Sequence, residues 1–268
     1  MATPGQRAQT VLITGASSGI GAALADQFAR ADFNLVLVAR GVGRLQALAD
    51  RLTASHGVKT WPVACDLSDA NAPRQLAAAM RRARRPIDVL VNCAGVLHTG
   101  AFSSIGQTQQ RSMIDLNVMG LTALVAEFAP AMVSRGQGRI LNVASIAAFQ
   151  PVPSLAVYAA TKAYVLSLTE SLSEEFKGTG VSFTALCPGI TATEMLRSAA
   201  AEREALAALP GFLIGDADAV AQQGYQACMR GDVICVPGWV NQAVTTAGRA
   251  APKWLLRRIS GAMARRLK

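Results

Sequence analysis

Short apolar runs alternate with longer helical stretches along most of the chain, and this alternation constrains the fold more than any other feature. Runs that are apolar at every position indicate strands covered on both faces, and strict alternation with helices implies right-handed crossovers in a parallel sheet. The sequence therefore predicts a single doubly wound α/β domain with a parallel sheet of about seven strands and helices on both faces. The predicted strands are Thr10–Thr14, Asn34–Ala39, Thr60–Cys65, Ile87–Asn92, Gly138–Ala144, Val181–Cys187 and Asp232–Val236.

Length and composition narrow the class of protein. The 268 residues, 51% of them hydrophobic and 16% charged, suffice for one large core, and no repeat or linker divides them. Neither a signal peptide nor about 20 uninterrupted apolar residues are found, so we expect no spanning helix. Five cysteines without a Cys-x-x-Cys pair, and two histidines, predict reduced thiols in a cytoplasmic protein and no metal site.

Positive charge is concentrated at the end of the chain. Seven of the nine excess charges lie in residues 249–268, which contain no acid, so the main body is nearly neutral and we expect no nucleic-acid partner. Residues 241–268 are predicted as a basic amphipathic helical extension, since Leu255, Ile259, Met263 and Leu267 recur every four residues. It would pack on its own domain, contact a subunit or lie on a membrane surface. A second basic cluster ends a predicted helix, where we expect solvated side chains: Arg81, Arg82, Arg84 and Arg85.

A glycine-rich turn follows the first predicted strand. The segment Thr14–Gly21 has the spacing Gly-x-x-x-Gly-x-Gly and leads directly into a predicted helix. Such a turn brings backbone N–H groups and a helix N-terminus to the carboxyl edge of the sheet, where a pyrophosphate can bind. The predicted contacts are Gly15, Ser17, Ser18, Gly19, Ile20 and Gly21.

The end of the second strand discriminates between nicotinamide cofactors. A carboxylate there binds a ribose 2′-hydroxyl, whereas a guanidinium accommodates a 2′-phosphate. This position is Arg40, with Arg44 one helical turn later, so the sequence predicts NADP and not NAD. Other residues expected at the same edge, near adenine and ribose, are Asp66, Leu67, Asn92, Ala94 and Gly95.

Three polar residues form a candidate catalytic group. Ser145 ends the fifth strand, and Tyr158 and Lys162 project from one face of the following helix because they are four residues apart. A nearby ammonium favours the phenolate and thus lowers the pKa of a tyrosine. The pair by itself is also compatible with an ordinary helix surface.

Together these motifs resemble the classical short-chain dehydrogenase/reductase family, across nearly the whole chain. The resemblance lies in the glycine turn Thr14–Gly21, the Asn-x-Ala-Gly motif Asn92–Gly95 and the Tyr-x-x-x-Lys motif Tyr158–Lys162. Ser145 and Asn117 stand where the family has the rest of its catalytic tetrad. Two positions depart from the pattern: Cys93 replaces an asparagine, and Arg40 replaces the acid at the end of the second strand.

The resemblance implies a Rossmann domain that transfers a hydride between NADP(H) and a carbonyl compound or alcohol. By this analogy Tyr158 exchanges a proton with the substrate oxygen and Ser145 donates a hydrogen bond to that oxygen. Lys162 lowers the pKa of Tyr158 and binds the nicotinamide ribose, and Asn117 holds a water that relays protons. Pro188, Gly189, Ile190 and Thr193 are implied on the nicotinamide side, and a homodimer or homotetramer is expected.

Apolar residues around this site predict a lipophilic substrate. Residues 1–240 are predicted as the catalytic domain, with a lid at about 190–215. Substrate contacts are expected from Leu97, Phe149, Met195 and Phe212, besides Ser145 and Tyr158. We therefore expect a ketone, aldehyde or secondary alcohol as substrate, as for a carbonyl or 3-oxoacyl reductase. The alternatives are an NAD-dependent alcohol or hydroxysteroid dehydrogenase, a non-catalytic NADP sensor, and a protein that binds a membrane surface, on which it would be peripheral.

Overall fold

A parallel sheet of seven strands is the framework of the computed structural model, which describes residues 8–197, residues 214–250 and Arg258. The strand order is β3-β2-β1-β4-β5-β6-β7, and every neighbouring pair is parallel. This confirms the predicted fold class. The strands are β1 (Thr10–Thr14), β2 (Asn34–Ala39), β3 (Thr60–Ala64), β4 (Val89–Asn92), β5 (Gly138–Val143), β6 (Val181–Leu186) and β7 (Ile234–Cys235).

Helices connect the strands on both faces of the sheet. A π-helical turn, Asp115–Gly120, joins α4 to α5, and a short 3₁₀ turn, Ile146–Phe149, follows β5. The helices are α1 (Gly19–Arg30), α2 (Val42–His56), α3 (Ala72–Arg82), α4 (Gln107–Ile114), α5 (Leu121–Ser134), α6 (Ala156–Glu175), α7 (Ala217–Arg230) and α8 (Trp239–Ala250).

Five strands are shorter than predicted: β3, β5 and β6 end one residue earlier, and β4 and β7 differ by more than one residue. β4 starts at Val89, and the side chain of Asp88 before it accepts a 2.8 Å hydrogen bond from the backbone N–H of Thr10. β7 is two residues long and pairs with β6 alone, at the edge of the sheet.

The hydrophobic core consists of two clusters, one on each face of the sheet. Successive residues of β1 alternate between them, since Val11 and Ile13 face one cluster and Leu12 the other. Both faces are therefore covered by helices, which explains why the strands are apolar at every position. Helix residues of the first cluster include Leu24, Phe28, Leu45, Leu52 and Val220, and those of the second include Leu76, Leu124, Met132 and Val165.

The continuous helical segment Gln107–Ser134 is, by length and composition, apolar enough to cross a membrane, with a mean hydropathy of 1.6 over 18 residues. Its α5 portion packs on the sheet through Leu121, Leu124, Phe128 and Met132, all buried in the second cluster. Packing in the core thus accounts for the apolar composition of this segment.

The C-terminal helix α8 crosses the predicted domain boundary after residue 240. It starts at Trp239, and Asn241 packs so closely on Gly189 that a Cβ there would lie 2.5 Å from the Asn241 Nδ2 atom. Since residues 251–257 and 259–268 lie outside the described residues, the basic extension at 241–268 stays a prediction.

A buried chain of hydrogen bonds ties the middle of the sheet to α6. Asn92 donates to the Asn142 side-chain oxygen at 2.9 Å, Asn142 donates to the Thr169 hydroxyl at 3.0 Å, and Thr169 donates to the Val165 carbonyl at 2.6 Å. Asn142 and Thr169 are fully buried. Polar groups at this depth are tolerated because each contact replaces a hydrogen bond to water.

Replacing Thr169 by valine keeps the shape of the side chain but leaves the Asn142 amide without its acceptor. We expect the free energy of unfolding to fall by about 1–3 kcal/mol, the cost of a buried unsatisfied donor. The matched control is Thr122→Val, which removes the hydrogen bond between Thr122 and Tyr164 at the surface and should cost less than about 0.5 kcal/mol. Urea unfolding measures both, and equal losses would contradict the role of the buried chain.

Candidate active site

A cleft of about 660 Å³ lies at the carboxyl edge of the sheet. At this point the strand order reverses, because β2 lies on one side of β1 and β4 lies on the other. Such a reversal of strand order opens a crevice for ligands in doubly wound folds. The cleft brings together most of the residues that the sequence singled out. They are Gly15, Ser17, Ser18, Gly19, Ile20, Gly21, Arg40, Arg44, Asp66, Leu67, Ala94, Gly95, Leu97, Ser145, Tyr158, Lys162, Pro188, Gly189, Ile190, Thr193 and Met195.

The glycine turn is held against the end of β4. Gly15 has φ of +66°, and a Cβ there would lie 2.9 Å from the backbone of Ala94. The Thr14 hydroxyl fixes this approach, because it donates to the Val91 carbonyl and accepts from the N–H groups of Cys93 and Ala94 at 3.0 and 3.1 Å.

This turn fits the pyrophosphate of a dinucleotide. A Cβ at Gly21 would overlap the carbonyl oxygen of Gly15, so the first turn of α1 packs tightly beneath the loop. The first N–H groups of a helix have no partners within the helix and bear partial positive charge. At α1 they line the cleft from Ser18 to Gly21, which is the arrangement that an anionic group requires.

Ser145, Tyr158 and Lys162 meet at the other end of the cleft. Ser145 precedes the 3₁₀ turn, and its hydroxyl oxygen accepts from the Ala147 N–H at 3.1 Å. Lys162 is buried and donates to the carbonyl of Val143 at 2.7 Å, with its Nζ atom 5.7 Å from the centre of the Tyr158 ring. The end of β5 thus positions both the hydroxyl and the ammonium group.

Burial shifts the pKa values of both α6 residues towards their neutral forms. It raises the pKa of Tyr158 to about 12, against a smaller lowering by the side-chain hydrogen bond with Ser145. It lowers the pKa of Lys162 to about 8, against smaller effects of the two nearby thiols, Cys93 and Cys187.

The lowering of the pKa of Tyr158 by Lys162 stays a prediction. Loss of hydration is the largest influence on this pKa and raises it. Tyr158 is therefore a protonated phenol at neutral pH, the form that can donate a proton.

Asn117 lies behind the cleft in the π-helical turn. Its side-chain oxygen accepts from the Val96 N–H at 2.9 Å, and its amide donates to the Val96 carbonyl and to Thr161 at 3.0 and 3.2 Å. The wider turn interrupts the regular hydrogen bonds of the helix, as π-helical turns do at many functional sites. The Asn117 side chain thus links the segment that follows β4 to helix α6.

The two arginines near the end of β2 have different surroundings. Arg40 is exposed and has no hydrogen bond or ion pair within the described residues; its charge contributes to the lowered pKa of Asp66. The Nη1 atom of Arg44 instead donates to both carboxylate oxygens of Glu194, at 2.9 and 2.8 Å. Glu194 belongs to the predicted lid, so this ion pair joins the lid to the other side of the cleft.

Two predicted contacts lie elsewhere. Asn92 is buried and bonds to Asn142, so its side chain supports the sheet and does not line the cleft. Phe149 ends the 3₁₀ turn and packs against the second core cluster, while Ile146 and Ala147 of the same turn line the cleft. Phe212 and most of the predicted lid lie outside the described residues.

Sequence reasoning missed several residues of the site, among them three polar ones. Glu194 and Gln150 line the cleft, and Thr161 supports Asn117. Glu194 follows the predicted cofactor residue Thr193 directly, so an acid beside that position was the available signal. Nothing in the local sequence distinguishes Gln150 or Thr161 from ordinary loop and helix residues.

The five cysteines are free thiols, each buried or half-buried. Burial raises the pKa of Cys93, beside Lys162, to about 11. Within the described residues, no three His, Cys, Asp or Glu side chains lie close enough to hold a metal ion.

The lowered pKa of Lys162 predicts a pH-dependent stability. Between pH 8 and the ordinary lysine pKa of 10.5, the unfolded chain keeps a proton that the folded protein has released, so folding becomes more favourable as pH rises. Replacing Lys162 by methionine removes this effect. Relative to the wild type, the variant should therefore lose about 3 kcal/mol of stability between pH 8 and 10.5.

Urea unfolding at several pH values measures this difference. The matched control is Lys177→Met, at an exposed lysine that pairs with Glu174 on the surface. Its stability relative to the wild type should not change with pH in this range. A parallel pH dependence in both variants would show that burial of Lys162 is not the cause.

Sequence comparison identifies relatives of this chain among known proteins. A sequence model described as short chain dehydrogenase matches residues 9–204. The oxidoreductase UcpA of Escherichia coli is 36% identical over 196 residues, which are 72% of this chain and 73% of UcpA. Another relative, 35% identical over 188 residues, is much longer, and this chain covers 15% of it.

Solved structures match a larger part of this chain than the sequence relatives do. A short-chain dehydrogenase from Sphingobium yanoikuyae, in complex with NADPH, is 34% identical with a TM-score of 0.81, covering 96% of this chain and 95% of that one. A bulky-bulky ketone specific alcohol dehydrogenase from Comamonas testosteroni is 28% identical with a TM-score of 0.77, covering 92% and 96%. Members of this family use nicotinamide cofactors, bind small-molecule substrates and typically form oligomers. The chain belongs to the short-chain dehydrogenase family of oxidoreductases.

Proposed function

We propose that this protein is an NADP(H)-dependent reductase of lipophilic ketones or aldehydes, acting on the corresponding secondary alcohols in reverse. One observation carries the proposal: the same cleft contains Arg40, which has no ion pair within the described residues, and the half-buried Tyr158 phenol beside apolar walls. Membership of the family supports hydride transfer as the class of reaction. The cleft residues support the choice of NADP and of a lipophilic substrate.

Preference for NADP is supported by the charges near the end of β2. A 2′-phosphate needs a cationic donor, and the Arg40 side chain has no competing hydrogen bond within residues 8–197 and 214–250. Arg44 is already paired with Glu194 and would have to bind the phosphate as well, so Arg40 is the principal phosphate ligand in this proposal. The NADPH bound in the Sphingobium relative agrees with this choice.

The proton chemistry rests on Tyr158 and Ser145. The nicotinamide supplies the hydride in reduction and accepts it in oxidation. Tyr158, protonated at neutral pH, donates its proton to the carbonyl oxygen as that oxygen gains charge. The Ser145 hydroxyl donates a hydrogen bond to the same oxygen and stabilises the charge.

Lys162 has two roles in the proposed site. With a pKa of about 8 it is mostly protonated at neutral pH, so its ammonium can bind the nicotinamide ribose. Its fixed contact with the Val143 carbonyl holds the ammonium inside the cleft, near Gly95 and Asn117. Asn117 joins Val96, in the segment after β4, to Thr161 of α6, and the family analogy gives Asn117 a water that relays protons.

The substrate end of the cleft is apolar. Its walls include Leu97, Val152, Leu155, Met195 and Leu196, opposite the Ser145 and Tyr158 hydroxyls. A substrate with one carbonyl group and apolar substituents would match this distribution of polar and apolar atoms. The ketone preference stated for the Comamonas relative supports the same class.

A spectrophotometric assay of NADPH oxidation tests the proposal. Lipophilic ketones, aldehydes and 3-oxoacyl thioesters are offered with NADPH or NADH, and secondary alcohols are offered with the oxidised cofactors. Higher kcat/KM for a lipophilic ketone with NADPH is the expected result. Preference for NAD with alcohols or hydroxysteroids would instead identify an oxidative dehydrogenase, and polar substrates turned over faster would contradict the lipophilic class.

Replacing Tyr158 by phenylalanine removes the proton donor and little else. Turnover should fall by about 10²–10⁴-fold, the usual contribution of general acid catalysis, while NADPH affinity stays within about twofold. Tyr164→Phe is the control, because Tyr164 lies on the same helix but bonds to Thr122 at the surface. Fluorescence titration measures cofactor binding. Comparable activity in the two variants would exclude Tyr158 as the acid.

Replacing Arg40 by aspartate should reverse the charge offered to the 2′-phosphate. The ratio of kcat/KM with NADPH to that with NADH is expected to fall at least about tenfold, as loss of one charge-assisted hydrogen bond predicts. Arg74→Asp, an exposed site on α3 outside the cleft, makes the same change of charge and should leave the ratio unaltered. An unchanged ratio in the Arg40 variant would contradict the cofactor assignment.

A further inference from the structure

A second pocket, of about 310 Å³, lies at the opposite edge of the sheet from Tyr158. It is enclosed by the C-terminal ends of α3 and α5 and by the residues that lead into β4. Its walls are apolar, and its charged residues are four arginines and one acid. The apolar residues include Ala77, Met80, Ile87, Phe128 and Ala131, and the charged ones are Arg81, Arg84, Arg85, Arg135 and Glu127.

Three of the four guanidinium groups are held in place. Arg135 donates to the Ile87 carbonyl at 2.7 Å, and Arg85 stacks on the ring of Trp61, 3.6 Å from its centre. Arg81 lies 3.4 Å from the Glu127 carboxylate. Because a guanidinium has five N–H donors, each of these contacts leaves further donors for a ligand.

Arg84 is the residue that distinguishes this pocket from an ordinary helix end. Its φ is +49°, the left-handed conformation that disfavours residues with a side chain. The chain adopts it there to close α3, since the Arg84 and Arg85 N–H groups bond to the carbonyls of Arg81 and Met80 at 3.0 Å. After α2, α5 and α7 the left-handed position is occupied by Gly57, Gly136 and Gly231, and after α1 by Asp32, a residue type that visits this conformation more readily than arginine.

An arginine at this position costs stability that a glycine would not cost. The presence of a side chain there therefore requires an explanation other than stability. Complementing the helix dipole does not supply one, because Arg81 and Arg82 already lie in the last turn of α3. The Arg84 side chain also has no hydrogen bond or ion pair within the described ranges 8–197 and 214–250. It is therefore an unused cation at the edge of a pocket.

We propose that this pocket binds a small organic dianion, specifically a phosphate monoester attached to a compact apolar group. Four guanidiniums against one carboxylate leave an excess of positive charge, and a phosphate monoester, with a charge of about −1.5 to −2 at neutral pH, would offset more than a third of it. Arginine forks match phosphate oxygens, and the apolar wall would cover the rest of the ligand. The volume is near the lower limit of small-molecule sites, about 300 Å³, which favours a group of one ring or a short chain.

Isothermal titration of the full chain with phenyl phosphate tests the proposal. Saturating NADPH and NADH are present throughout, so that the cleft at the carboxyl edge does not contribute. The wild type should bind one phenyl phosphate per chain, more tightly than inorganic phosphate or phenol. Arg84→Gly should weaken binding at least about tenfold, the effect of losing a charge-assisted hydrogen bond.

Two comparisons separate a specific site from general charge and from misfolding. Arg82→Ala removes one charge from the same helix end at a residue that does not line the pocket, and binding should stay within about twofold of the wild type. Arg84→Gly should also raise the midpoint of thermal unfolding by about 2 °C or more, since it relieves the left-handed conformation. Weaker binding in a more stable protein would be attributable to the side chain.

Several results would overturn the proposal. They are no binding to the wild type, equal weakening by Arg84→Gly and Arg82→Ala, and equal affinity for inorganic phosphate and phenyl phosphate. A lower unfolding midpoint for Arg84→Gly would refute the argument from backbone conformation. None of these results depends on the reaction at Tyr158, because the pocket and the cleft lie at opposite edges of the sheet.

Discussion

The Thr14 hydroxyl joins the ends of two neighbouring strands, and the functional cleft depends on that junction. It donates to the Val91 carbonyl and accepts from two N–H groups after β4, so the turns that follow β1 and β4 are held together. Gly15 then lies too close to Ala94 for any side chain. Because the strand order reverses at this point, the tie positions the glycine turn against the crevice where a dinucleotide fits.

Burial sets the protonation states of the two α6 residues in the cleft. Loss of hydration disfavours both the phenolate and the ammonium, so the pKa of Tyr158 rises and that of Lys162 falls. The two pKa values thus move apart, to about 12 for Tyr158 and about 8 for Lys162, and Tyr158 keeps its proton at neutral pH. A carbonyl of the sheet, that of Val143, stabilises the buried ammonium. Loss of hydration, and not a nearby charge alone, thus keeps Tyr158 protonated as the proton donor of the proposed reaction.

Arginines with similar sequence surroundings acquire different roles in the fold. Arg40 and Arg44 lie one turn apart, yet Arg44 pairs with Glu194 across the cleft while Arg40 has no such partner among the residues that the structure describes. Arg82 and Arg84 lie at the end of the same helix, yet Arg82 is not among the residues that line the second pocket, whereas Arg84 lines it in a costly conformation. In each pair the difference arises from segments distant in the chain, so charge patterns alone cannot distinguish them.

The sequence by itself determined the strand and helix order, the parallel sheet and the edge at which the motifs meet, because a chain that is apolar on both strand faces has few other ways to bury them. It also identified Ser145, Tyr158 and Lys162, since their spacing relative to β5 and α6 is local. The tertiary structure decided what depends on contacts between distant segments. Asn92 and Phe149 turn into the core, and Glu194 reaches Arg44, because side-chain orientation follows the packing of neighbouring elements. For the same reason, the pKa values of Tyr158 and Lys162 were decided by burial, which no local pattern records.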